Sequence, residues 1–245
     1  MRYFLEISYN GKNYHGWQRQ NNANTVQAEV EKAFSILLQS QIDVLGCGRT
    51  DAGVHAKKFY LHYDISAEQS LPKSIVFRLN GILPNDISVH SNTQVAEDSH
   101  ARFDATSRSY EYHLHQHKNP FLEGLSADFR QPLDMDLMNE AAKILLETEE
   151  FGAFCKANSD NKTDFCDVSE AIWKKETDRI VFHITANRFL RNMVRAVVGT
   201  LLDIGLGKIT KEEFQEIVNS QNRENAGVSV PAHGLYLTEI KYPFL

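Results

Sequence analysis

The 245-residue sequence predicts an α+β protein in two halves, each a mainly antiparallel sheet covered by helices. Three observations predict it. Runs with apolar residues at every second position recur in both halves, apolar residues at three- and four-residue spacing mark helices between them, and no linker rich in Pro, Gly or Ser intervenes. The expected division is 1–100 and 101–245, closely packed with a cleft between the halves.

In the first half, Tyr3, Leu5, Ile7 and Tyr9 alternate with Phe4, Glu6 and Ser8 in a strand that stops at the Asn10-Gly11 turn. Asn24 or Thr25 is placed to cap a helix whose apolar face is Val26, Val30, Ala33, Phe34, Leu37 and Leu38. Ile42, Val44 and Cys47 form a short strand, and Phe59-Tyr60-Leu61 with Tyr63 and Ile65 form another, so the residues between them are a loop. Leu71-Pro72 opens a second helix through Ile75, Val76 and Leu79, and the turn at Pro84-Asn85-Asp86 leads into a strand from Ile87 to Val95.

Beyond His100 the pattern restarts with a strand from Arg108 to His117, a helix from Asp136 to Leu146, and strands around Val168–Lys174 and Ile180–Ala186. Leu190, Met193, Val194, Val197, Val198, Leu201 and Leu202 then predict a long helix. On its polar side Arg188, Arg191 and Arg195 are expected to form a cationic stripe, although such a stripe is ordinarily just a solvated surface. Thr210 and Glu213 make a capping box for one more helix, and Leu235 to Tyr242 supplies the last strand.

Composition bounds the function. With 42% hydrophobic residues and ordinary charge the chain is globular rather than disordered. Its longest apolar run, Leu190 to Leu206, is broken by Arg191, Asn192, Arg195 and Asp203, and no signal-peptide pattern opens the sequence, so a cytoplasmic location is expected. Cys47, Cys155 and Cys166 include no CxxC pair, which supports neither a disulfide framework nor a zinc knuckle.

The net charge of −6 argues mildly against a general nucleic-acid binder, but its distribution matters more. Residues 101–245 carry 17 Lys and Arg against 22 Asp and Glu, a net −5, while residues 1–100 carry 9 against 10, a net −1. Much of the excess sits at Asp134, Asp136, Glu140, Glu147, Glu149 and Glu150, a solvated helix face. A single basic groove is expected from cations that gather near the motifs, among them Arg49, Lys57, Lys58, Arg78, Arg102 and Arg108.

The most informative segment is Cys47-Gly48-Arg49-Thr50-Asp51-Ala52-Gly53-Val54-His55-Ala56, which places one carboxylate beside an arginine in a glycine-flanked loop. Gly48 and Gly53 permit backbone angles closed to other residues, and Arg49 offers a planar cation for phosphate or base. A lone turn aspartate ordinarily caps its own backbone, so function rests on the wider pattern. That string resembles the catalytic loop of the TruA family of tRNA pseudouridine synthases. So do Tyr9-Asn10-Gly11, Tyr14-His15-Gly16-Trp17-Gln18-Arg19-Gln20, Thr25-Val26-Gln27, Arg108-Ser109-Tyr110-Glu111-Tyr112, Phe189-Leu190-Arg191-Asn192-Met193-Val194-Arg195 with Gly199, and His233-Gly234-Leu235-Tyr236-Leu237, in order across nearly the whole chain.

The resemblance implies a cofactor-free isomerase acting on the tRNA anticodon stem-loop at positions 38, 39 and 40, built as a homodimer on a pseudouridine synthase fold. It implies Asp51 as the catalytic carboxylate, Arg195 as its cationic partner, and Tyr110 as the ring that stacks on the target uracil. Tyr112, two residues along the strand, reads instead as packing. Arg49 is assigned to the space left by the flipped base or to its phosphate, His55 to RNA contact or equally to a structural loop bond, and Leu235 and Leu237 to an apolar wall of the uracil pocket. Two rivals remain: a catalytically inactive tRNA-binding protein of the same fold, and a metal-dependent hydrolase on His113, His115 and His117, which lack a supporting acidic ligand in the sequence. The segment Ser229-Val230-Pro231-Ala232 carries no assigned role.

Overall fold

The structure is a computed structural model and describes residues 1–66, 68–156, 159 and 161–245. These residues form two compact units, Met1–Thr106 with Leu237–Leu245, and Ser107–Tyr236. Mixed strands and helices make up both, as the residue patterning predicts.

The first unit opens with β1 (Arg2–Tyr9), followed by α1 (Val26–Leu38), β2 (Val44–Gly46), β3 (His55–Asp64), α2 (Ile75–Ile82) and β4 (Ile87–Val95). β1 lies between β3 and β4, antiparallel to both, with Leu5 opposite Leu61 on one side and Asn92 on the other. Leu5, Ile7 and Tyr9 are buried on one face, while Phe4 is buried on the other against Tyr60, Tyr242 and Phe244. Burying such a side chain contributes about 1.5–3 kcal/mol each, which is why this strand tolerates little polarity at its centre.

Thr25 takes the N-cap position of α1 but makes no capping hydrogen bond, so the helix is held by its apolar face, with Phe34 against Tyr63 at 4.5 Å between ring centroids. Glu31 is also buried there. Its carboxylate accepts from Gln27 Nε2 at 3.0 Å and from the Val44 backbone N–H at 3.2 Å, and it pairs with Arg19, which ties α1 to β2. A buried acid so satisfied is tolerated where an unpaired one would be costly.

In the second unit the elements are β5 (Ser107–His115), β6 (Ala127–Asp128), α3 (Met135–Ala142), β7 (Val168–Lys175), β8 (Ile180–Ala186), α4 (Met193–Gly205) and α5 (Lys211–Ser220). β8 pairs antiparallel with β5 and β7, and β6 runs parallel to the end of β5. Tyr112, Phe182 and Trp173 lie in register across the three strands and are buried. α3 is pinned to β7 by Asn139, which accepts from Trp173 N–H at 2.7 Å and donates to the Trp173 carbonyl at 3.2 Å. The last strand, β9 (Leu235–Lys241), belongs to the first unit from Leu237 onward.

Several elements differ from expectation. α2 starts at Ile75 rather than at Leu71-Pro72, and β2 is confined to Val44–Gly46. The helix expected over Asp136–Leu146 is α-helical only from Met135 to Ala142 and finishes as a 3-10 turn, Lys143–Leu146. β5 ends at His115, so His117 lies beyond it. The long helix starts at Met193 rather than Leu190, because Asn192 has φ of 66° and a left-handed residue cannot continue a right-handed helix. Arg188 and Arg191 therefore precede α4, and the expected stripe along one helical face with Arg195 does not exist. Arg188 instead donates to the carbonyls of Thr163 and Phe165 at 3.2 and 3.4 Å.

The acidic segment is solvent-exposed as expected, but it is not one helix face, since Glu147, Glu149 and Glu150 lie beyond α3 and its 3-10 turn. Asp134 caps α3 through the Leu137 N–H at 3.0 Å, and Asp136, Glu140, Glu147, Glu149 and Glu150 are exposed. The Thr210–Glu213 capping box of α5 is complete in both directions, at 2.7 and 3.1 Å. No helix among the described residues is long and apolar enough to cross a membrane.

Candidate active site

The ten-residue string from Cys47 to Ala56 leaves β2 and enters β3, and Asp51 stands at its centre, partly exposed. The backbone around it is fixed from several directions. Cys47 N–H donates to the Tyr60 carbonyl at 2.8 Å at the loop's entrance, Val54 N–H closes a turn onto the Asp51 carbonyl at 3.2 Å, and Gly53 N–H donates to the Tyr14 carbonyl at 3.2 Å. Gly53 has φ of 80°, which requires glycine. Gly48 does not share this property, since its φ lies outside the left-handed region and a Cβ there would meet open space.

The opening signature is the cradle for this loop. Trp17 N–H donates to the Thr50 carbonyl at 3.2 Å, and the Tyr9 and Thr50 hydroxyls bond at 2.9 Å. A Cβ on Gly11 would lie 2.0 Å from the Val54 carbonyl oxygen, and one on Gly16 would lie 2.4 Å from that of Thr50. Trp17 packs on Phe59 at 4.2 Å and leaves no room for a side chain at Gly46. The Tyr9–Gly11 and Tyr14–Trp17 motifs and the Asp51 string, read separately in the sequence, are therefore one packed object. An aspartate held this way keeps a defined position at little entropic cost when a substrate arrives.

His55 is buried, and its Nδ1 accepts from the Gly11 N–H at 3.0 Å, the structural loop bond. Arg49 is exposed on the loop. Leu235 and Leu237 are buried at alternate positions of β9 and so share one side of the strand.

In the second unit, Tyr110 is partly exposed on β5 and meets Phe189 edge-on, with centroids 5.1 Å apart and an interplanar angle of 88°. Tyr112 is fully buried, and its hydroxyl donates to the Pro231 carbonyl at 2.8 Å, which matches its reading as packing. Burial pushes that hydroxyl's pKa up, and the cation that opposes the shift is Arg195.

Arg195 sits in the first turn of α4. Its Nε donates to the Val230 carbonyl at 2.7 Å, and Val230 N–H donates back to the Arg195 carbonyl at 3.2 Å. The segment left without a role in the sequence reading is thus the one that holds Arg195. Its signal was Gly199, one helical turn beyond Arg195, where a Cβ would lie 1.9 Å from the Val228 carbonyl oxygen. A small residue on a helix that admits another backbone this closely is a packing device.

Of the two histidines on β5, His113 has other work and does have an acidic neighbour, Glu111, contrary to expectation, whereas His115 is buried with its Nδ1 unpartnered among the described residues. His113 Nε2 bonds Glu111 at 2.9 Å, its Nδ1 meets Arg179 at 3.3 Å, and its ring stacks on Tyr236 at 4.4 Å. His117 is exposed beyond the strand, and no group of three or more His, Cys, Asp or Glu suited to a metal ion occurs among the described residues.

The model of a family described as tRNA pseudouridine synthase matches residues 141–243. The sequence is 46% identical over 245 residues to "tRNA pseudouridine synthase A" of Azobacteroides pseudotrichonymphae, covering 99% of this chain and 97% of that one. Relatives of the same name in Porphyromonas gingivalis and Bacillus pumilus are 46% and 37% identical, each over 99% of this chain and 97% and 99% of their own. The chain belongs to the tRNA pseudouridine synthase family.

Proposed function

We propose that this protein isomerises uridine to pseudouridine in the anticodon stem-loop of tRNA, at positions 38, 39 and 40, using Asp51 on a flipped-out base. The observation that carries this reading is likeness over 99% of the chain to proteins named tRNA pseudouridine synthase A, with the Asp51 string held in a backbone cradle. The reaction breaks the bond from uracil N1 to ribose C1′, turns the base, and forms a bond from C5 to C1′, while the C5 proton is lost and N1 gains one. Atoms and electrons balance without a redox partner, so one carboxylate can drive it as a nucleophile at the sugar or base or as the base that takes a sugar proton.

Each role requires an ionised Asp51, and Arg195 is assigned to hold it so in the reactive complex, in a cleft between the two halves. Tyr110 supplies the face on which the extruded uracil stacks while it turns, replacing stacking lost from the stem. Arg49 occupies the gap or binds the phosphate, His55 supports the loop from behind, and Leu235 and Leu237 wall the pocket. A homodimer working in the cytoplasm, with one subunit gripping the tRNA body, completes the reading.

The test incubates purified protein with an unmodified tRNA transcript and maps pseudouridine by nucleotide. Conversion confined to the three anticodon-arm positions supports the proposal. Conversion elsewhere contradicts the substrate assignment, and tight binding without conversion supports the inactive binder instead.

A further inference from the structure

We infer that Ser229, bridged to Asn192 and Arg223, is a positioning residue that sets the guanidinium of Arg195 through the Val230 backbone. This rests on the role given to Arg195 above, but its evidence lies wholly within the second unit.

The segment from Ala226 to Pro231 lies in no helix or strand, and such chain by itself could not hold a carbonyl to a fraction of an ångström. Fixed partners hold it at each step. Arg223 Nη1 donates to the Ala226 carbonyl at 3.2 Å, and Gly227 N–H donates to Thr200 Oγ1 at 2.9 Å, whose hydroxyl in turn donates to the Ala196 carbonyl at 2.8 Å. The Val228 carbonyl rests where Gly199 has no Cβ. Ser229 Oγ accepts from Asn192 Nδ2 at 2.6 Å and from Arg223 Nη2 at 2.9 Å. The Pro231 carbonyl accepts from the buried Tyr112. Val230, between Ser229 and Pro231, presents its carbonyl to Arg195 Nε.

Two consequences follow from the chemistry of arginine. Its donors form a rigid fork, so fixing Nε fixes the plane and direction of the terminal Nη1–Nη2 edge. With Nε committed to Val230, that terminal edge is the one able to meet a carboxylate with two parallel bonds. Asn192 joins the two ends of the device. Its left-handed backbone starts α4 three residues before Arg195, and its side chain grips Ser229. Asparagine tolerates that backbone better than other residues with a side chain, so one residue serves both purposes.

The experiment compares Ser229→Ala, Asn192→Gly and Ser229→Thr with the wild-type protein. Ser229→Ala removes the bridging hydroxyl, Asn192→Gly keeps the left-handed backbone and removes the side chain, and Ser229→Thr restores a hydroxyl. Single-turnover conversion of tRNA is expected to fall about tenfold to 100-fold in the first two, with KM nearly unchanged and partial recovery in the third. In parallel, 15N NMR follows exchange of the Arg195 Nε–H, assigned by its loss in Arg195→Lys. Exchange should accelerate in Ser229→Ala and Asn192→Gly and stay slow in Ser229→Thr. Unchanged conversion and unchanged exchange overturn the inference, as does a raised KM with kcat intact, which would make the segment an RNA contact. Should the wild-type protein convert no uridine, the proposed function fails, while the exchange measurement still decides whether Ser229 positions Arg195.

Discussion

The α-carbon of Gly16 faces the carbonyl of Thr50 so closely that a methyl group there would sit 2.4 Å from the oxygen. Gly16 also has φ of 94°, so an alanine is strained twice, by its backbone and by the Asp51 loop beside it. Gly16→Ala is expected to destabilise the fold by more than about 1 kcal/mol and to cut conversion at least about tenfold at a temperature where it remains folded. Thermal unfolding and single-turnover assays check this. A variant that is destabilised but fully active would show that the cradle supports the fold alone.

Tyr110 presents a ring braced edge-on by Phe189. If the ring face is what the uracil needs, Tyr110→Phe keeps most of the activity and Tyr110→Ala loses about tenfold to 100-fold, the worth of one base-stacking contact. Equal losses in the two variants would assign the effect to the hydroxyl.

His62 gives the first unit a pH dependence whose sign is fixed. It is buried, its Nδ1 accepts from the Ala101 N–H at 3.1 Å, and burial, then Arg2 and His100, lower its pKa from 6.5 to about 4, against the opposing pull of Asp64 and Asp104. The unfolded chain therefore binds the proton more readily than the folded one. The stabilisation is fully present above the unfolded value of 6.5 and is lost as pH falls from there through about 4, on the order of a few kcal/mol. Denaturant titrations of wild type and His62→Gln across this window should show a shallower pH slope in the variant. Equal slopes would mean that His62 is not a source of the acid sensitivity.

Local pattern made the strands and most helices legible. β4 and β8 run where segments rich in Ile and Val place them, and the α5 capping box is a purely local device. The start of α4 was not legible, because the left-handed turn at Asn192 is fixed in part by Ser229, 37 residues away. The clamp on Arg195 was hidden for the same reason, since Val230 carries no polar side chain and acts through its carbonyl. Chain order also could not tell that the residues from Leu237 onward join the first unit. The Asp51 loop was recognisable as a string, whereas its contacts with Gly11 and Gly16 exist only in three dimensions.

The most direct measurement pairs tRNA binding with pseudouridine formation for Asp51→Ala and Asp51→Asn. Both should bind tRNA within about threefold of wild type and form no pseudouridine in a single-turnover assay, because neither retains a carboxylate. Conversion by either variant at a rate near that of wild type would contradict the assignment of the chemistry to this one side chain.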